Sequence, residues 1–162
     1  MRAFTARFLV KVASPLEAAL KNMPPAPTAQ KQPPWERDIR VDYLRSETGR
    51  PLPLLGHGSA RCVYEIDSGR VLKLGFEGDG ARQNKGEFRV FTQSNHDPIL
   101  ARVYSHAPDF SWLISEKADP LQGAIPDVVD FAKNYGLRPD EVRRWPNWGS
   151  TPRGPVLVDY GE

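Results

Sequence analysis

A chain of 162 residues is long enough for one domain with a core of its own and too short for two ordinary ones. Its 40% hydrophobic and 26% charged residues are those of a folded polypeptide, with no apolar run near the roughly 20 residues of a membrane span. The lone cysteine, Cys62, excludes an intrachain disulfide and a cysteine-ligated zinc site, which predicts a reducing, cytoplasmic setting. The net charge of +2 is uneven, with nine Lys and Arg against five Asp and Glu in residues 1–50, and thirteen against fifteen in 51–162. The basic N-terminal part reads as a solvated face, and neither nucleic acid nor membrane is expected as a partner.

Residues 1–13 are basic and apolar without an acid, and read as a strand, a helix or an organellar presequence. The helix signal that follows at once weighs against the presequence. Ser14 can cap, Pro15 sits where its missing N–H costs nothing, and Glu17 completes a capping box. Leu16, Ala19, Leu20 and Met23 form a short apolar stripe, and Pro24-Pro25 ends the helix. Residues 24–34 hold five prolines and read as an extended spacer of about 3 Å per residue. A helix this short is marginal alone, so its stripe is expected to dock on a second protein. Residues 1–34 then form an arm, and residues 35–162 the main domain.

Leu52–Leu55 is a short apolar run ending in glycines. Arg61–Ile66 alternates and Arg70–Phe76 is β-rich, with the turn Asp67-Ser68-Gly69 between them, which predicts a hairpin. Ala81–Gln93 reads as a helix. Ile99–Ser105 and Ser111–Lys117 read as strands, Ile125–Tyr135 and Pro139–Trp145 as helices, and Pro155–Tyr160 as a last buried strand. The fold class expected is α+β with an antiparallel sheet. Trp145-Pro146-Asn147-Trp148-Gly149 reads as a packed aromatic turn, with an exposed docking patch as the alternative.

The residues that carry chemistry come in a fixed order. Gly56-His57-Gly58-Ser59-Ala60 is a glycine loop between strands, and Val63 follows on the strand leaving it. Lys73 lies in the next strand, Glu87 in the middle of the next helix, and Glu116 at the end of the fifth strand. Asp159-Tyr160-Gly161 follows the apolar run Val156-Leu157-Val158. Glycines let backbone N–H groups approach a phosphate, and a lysine buried in an apolar strand needs a carboxylate partner.

In that order the sequence resembles the protein-kinase-like superfamily, including small-molecule kinases of the aminoglycoside phosphotransferase type. The resemblance implies a kinase-like N-lobe with a reduced helical C-terminal part. It implies ATP under Gly56, Gly58 and Ser59, beside Val63, with Lys73 on the phosphates, Glu87 as its ion-pair partner and Glu116 next to the adenine. Asp159 and Asn147 would then hold Mg²⁺. The pattern departs from the family at several points. Arg61 stands where the third loop glycine belongs, and only 43 residues separate Glu116 from Asp159. Val142 occupies the place of the catalytic aspartate, five residues before Asn147, leaving Asp140 and Glu141 as the weak catalytic candidates. The resemblance therefore implies a catalytically impaired, pseudokinase-like binding module of bacterial or phage style, presenting its arm to a protein partner. Two alternatives stand beside it: a component of a larger assembly such as a virion with a relic nucleotide site, and an active atypical phosphotransferase.

Overall fold

The computed structural model describes residues 14–26, 38–76 and 78–161. The expectations for residues 1–13, and most of the proline-rich spacer, lie outside those residues. Helix α1 (Pro15–Lys21) begins as its sequence dictates: the Glu17 N–H donates to Ser14 Oγ at 3.3 Å and the Ser14 N–H donates to Glu17 Oε2 at 3.3 Å. Helix α2 (Ile39–Thr48) was not expected. Its stop and start signals are nonetheless written in the chain: Asp38 caps it by accepting from the Arg40 N–H at 3.0 Å, and Gly49 closes it at φ 62°.

Five strands form one antiparallel sheet in the order β1-β2-β3-β5-β4: β1 (Leu54–His57), β2 (Arg61–Asp67), β3 (Arg70–Gly75), β4 (Val103–His106) and β5 (Trp112–Glu116). Alternation divides its residues between two faces. Cys62, Tyr64, Leu72, Leu74, Trp112 and Ile114 turn to one side, where they bury against Leu16, Ala19 and Leu20 of α1 and Val41 and Leu44 of α2. Arg61, Val63, Lys73 and Ser115 alternate with them and belong to the opposite face, which meets helix α3 (Asp79–Gln93). Close approach there depends on glycine, because a Cβ on Gly75 would lie 2.7 Å from the backbone carbon of Gly80.

This arrangement corrects the expectation for the N-terminal stripe. Leu16, Ala19 and Leu20 are buried in the chain's own core, with Met23 packed against it, so the stripe is not free to dock on a second protein. The physical reason is α2, which the sequence reading lacked: it supplies the neighbour that a lone short helix needs. Arg40 fixes α2 to the sheet. It is fully buried, pairs with both carboxylate oxygens of Asp38, and donates from Nη1 to the Gly75 carbonyl at 2.8 Å.

Cys62 lies in the middle of that core, and burial pushes its thiol up to about 11. A thiolate is the reactive form, so Cys62 is expected to resist an aromatic disulfide reagent at neutral pH and to label stoichiometrically only in denaturant. Fast labelling in buffer would show that α1 and α2 open readily from the sheet.

The second core lies beyond α3. A three-stranded sheet, β6 (Asp119–Pro120), β7 (Trp148–Thr151) and β8 (Gly154–Leu157), and the short helices α4 (Val129–Asn134) and α5 (Pro139–Val142) gather Val90, Phe91, Leu100, Leu121, Val142 and Val156. The expected last strand, Pro155–Tyr160, is β8, which ends at Leu157 and forms a hairpin with β7; β8 joins the rest through backbone bonds from the Leu157 N–H to Ile99 O at 2.8 Å and the Ala101 N–H to Leu157 O at 2.9 Å. In the tryptophan turn the two rings part: Trp148 is buried and donates Nε1–H to Val142 O at 2.7 Å, whereas Trp145 is half exposed. Among the described residues no helix is long and apolar enough to cross a membrane.

Candidate functional site

The face of the sheet opposite α1 and α2 carries four charged groups that meet at its junction with α3 and the C-terminal segment. Lys73 comes from the middle of β3, directly across from Val63 in β2. Its Nζ donates to Glu87 Oε2 at 2.7 Å, to Glu87 Oε1 at 2.9 Å and to the Val158 carbonyl at 2.6 Å. Arg61, the first residue of β2, donates through Nη2 to Glu87 Oε1 and, at 2.6 Å, to Asp159 Oδ1. Its Nη1 donates to Asn84 Oδ1 at 3.1 Å, and Asn84 in turn donates to the Phe110 carbonyl at 2.8 Å. Two cations and two anions therefore balance in one network.

The four members differ in burial, and that difference sets what they can exchange. The side chains of Arg61, Lys73 and Glu87 are 6%, 5% and 1% exposed, against 48% for Asp159. Burial is the largest influence on Lys73 and lowers its affinity for the proton, with Glu87 opposing it. Burial acts the same way on Arg61, but the carboxylates of Glu87 and Asp159 outweigh it and raise the guanidinium further. Arg61 thus keeps its charge at every accessible pH.

Near this network stands one unpaired group. Ser115 Oγ is buried and, among the described residues, has no hydrogen-bond partner. Ser115 pairs with Val71 as Leu113 pairs with Lys73, so its side chain belongs to the Lys73 face, two residues along β5. An unmade bond of this kind costs about 1–3 kcal/mol.

The remaining sequence candidates fall in different places. Gly56 lies in β1, paired with Val63, and Gly58 opens the loop before β2; a Cβ on either would meet nothing within 4 Å, and Ser59 is exposed beside Gly58. Glu116 is engaged elsewhere: it pairs with Arg153 and accepts the Arg102 N–H at 3.0 Å, tying β5 to the β7–β8 turn. Asp140 pairs with Arg138 on the surface at 2.7 Å. Glu141 and Asn147 do come together, since Asn147 Nδ2 donates to the Glu141 carbonyl at 2.9 Å, and both line a cavity of about 110 Å³ with Asp159.

Asn147 and Asp159, the pair expected to hold a divalent metal, lie at one cavity. Asp159 Oδ1 accepts from the Arg61 guanidinium and Asn147 Nδ2 donates to Glu141, so a metal there would be held through Asp159 Oδ2 and Asn147 Oδ1. Among the described residues no group of three or more His, Cys, Asp or Glu is arranged to hold a metal ion. The residue that sequence reasoning passed over is Arg61. It registers there only as a missing glycine, although the alternation Arg61, Val63 with Lys73 opposite already sets it on the lysine's face.

No family model matches the chain. No curated protein matches its sequence. Solved structures that resemble part of the fold include a SAICAR synthase, 18% identical with a TM-score of 0.34 over 43% of this chain and 35% of that one. A SAICAR synthase from Saccharomyces cerevisiae complexed with SAICAR is 16% identical, with a TM-score of 0.34 over 68% of this chain and 48% of that one. The chain thus spans less than half the length of either. No family model or curated sequence matches, neither of these solved structures is a protein kinase, and the kinase-like assignment drawn from the residue order is not retained. The pseudokinase role and the phage origin go with it, and the two alternatives are no better supported. What stands is the α+β class with its antiparallel sheet.

Proposed function

We propose that this chain is a nucleotide-binding domain that takes ATP, with Lys73 and Arg61 as the groups that receive its phosphates and without a structural need for Mg²⁺. The observation that carries the reading is the unequal burial within the ion network. Two desolvated cations are fixed by Glu87, and one of them, Arg61, also holds a second anion that is half in solvent. Asp159 is the exchangeable partner, and a phosphate oxygen can replace its carboxylate on Arg61 without leaving either cation unpaired. Arg61 then supplies the fixed positive charge that a metal ion would bring. The open space above Gly56 and Gly58 leaves the loop accessible to phosphate, and the unpaired Ser115 hydroxyl offers a bond to the polar edge of the base, on the same face as Val63.

The test is thermal unfolding with ATP in EDTA. ATP at about a hundred times its Kd is expected to raise Tm by roughly 5–10 °C, with no further gain when Mg²⁺ is restored. A Tm unmoved by millimolar ATP, with or without Mg²⁺, leaves the network as a strut between β3, α3 and the C-terminal segment. The bond from Lys73 Nζ to the Val158 carbonyl is the feature that favours that second reading.

A further inference from the structure

The solvent side of α3 carries a second basic site, separate from Lys73. Arg82, Lys85 and Arg89 stand at i, i+3 and i+7, so they lie along one side of the helix. With Arg138, Ser59 and Gly161 they line a groove of about 640 Å³, a volume in the range of small-ligand sites. Like charges at this spacing repel one another, and little among the described residues offsets them. The acid at the groove, Asp79, is engaged by Arg82, and Arg138 is paired with Asp140. Lys85 and Arg89 form no ion pair among the described residues.

The floor of the groove is backbone. A Cβ on Gly86 would collide with the Gly161 carbonyl, so α3 and the C-terminal segment meet there without side chains between them. Arg82 and Arg89 are separated by about 10 Å along the helix axis, the reach of a few linked phosphates. No aromatic ring lines the groove, so it lacks the stacking platform by which single-stranded nucleic acid is held.

We propose that this groove binds a compact oligophosphate anion, with Lys85 and Arg89 as its principal contacts and Arg82 and Arg138 at its rim. The cations of this groove are other than those of the ATP site proposed above: none of Arg61, Lys73 and Glu87 lines it, although Ser59 and Ala60 of the glycine loop border it.

The probe is inorganic tripolyphosphate, titrated calorimetrically into the full chain in EDTA. Lys85 and Arg89 are exposed, so Lys85→Glu with Arg89→Glu should leave the fold intact, as circular dichroism will show. The double variant is expected to lose the groove's equivalent of tripolyphosphate, its affinity falling about a hundredfold, roughly tenfold for each reversed charge. Raising the ionic strength should weaken binding to the wild type in the same direction. The variant should keep the ATP-induced rise in Tm that belongs to Arg61 and Lys73, so the two sites fail or stand separately. Unchanged stoichiometry and affinity in the variant, or no binding by the wild type, overturns the proposal. A single-stranded oligonucleotide that binds more tightly than tripolyphosphate overturns the choice of a compact ligand.

Discussion

Glu87→Ala is expected to destabilise the protein by about 3–5 kcal/mol, a large share of the roughly 5–15 kcal/mol that holds a typical domain. Glu87 accepts from both Lys73 and Arg61. Without it the two cations face each other in a dry layer, with one half-exposed carboxylate left on Arg61 and none on Lys73. Coulomb attraction is not the main quantity lost; the stranded charges are. A contrast sharpens the test. The pair Lys117–Glu65 has the same chemistry at 2.8 Å but sits partly in solvent, so Glu65→Gln should cost no more than about 1 kcal/mol. Urea unfolding of both variants separates the cases, and equal small losses would mean that water reaches Glu87. A third variant tests purpose. Replacing the trio together, as Arg61→Met, Lys73→Met and Glu87→Leu, should recover much of the lost stability, because a buried ion network is seldom better for stability than apolar packing. It should also abolish the ATP response. Recovery of stability without ATP binding would mark the charges as serving the ligand rather than the fold.

The second large effect falls at the N-terminus. Leu20→Asp is expected to cost on the order of 4 kcal/mol, and Leu16→Asp with Leu20→Asp to unfold the domain outright. Leu20 is buried among α2 and the sheet, so an aspartate there loses the packing and carries an unpaired carboxylate into an apolar core. If the stripe instead served another protein, both variants would melt like the wild type. Thermal melts of the purified variants decide the matter, and a wild-type Tm for the double variant would contradict the packing of α1 on this core.

The same two regions show how far the residues alone could be read. Strands β2, β3 and β5 were legible because alternation in a two-faced sheet leaves a period-two record, and the Asp67-Ser68-Gly69 turn fixes their hairpin. Helix α3 was legible from its own pattern, whereas Glu87 as the partner of Lys73 came only from the kinase-like resemblance; the residues alone asked for some carboxylate beside a buried lysine. Helix α2 was not, because its apolar face is thin: Val41 and Leu44 share it with a buried arginine whose charge is met by Asp38 and a distant carbonyl. Missing α2 then misplaced α1, since the covering partner was absent from the reckoning. The acceptors of Arg61 lie 26 and 98 residues away, so no local pattern could show that its guanidinium reaches both Glu87 and Asp159. Glu116 was placed beside an adenine only by the kinase-like resemblance, and its pairing with Arg153, brought up by the β7–β8 turn, left no local record either.

The central claim is that Asp159 holds Arg61 in place of a ligand phosphate. Calorimetric titration of ATP in EDTA, into the wild type and into Asp159→Asn, tests it most directly. Asp159→Asn removes the competing carboxylate from Arg61 while keeping the side chain's shape, so ATP is expected to bind about tenfold more tightly than to the wild type. Weaker or unchanged binding in Asp159→Asn would contradict the exchange of carboxylate for phosphate on which the account rests.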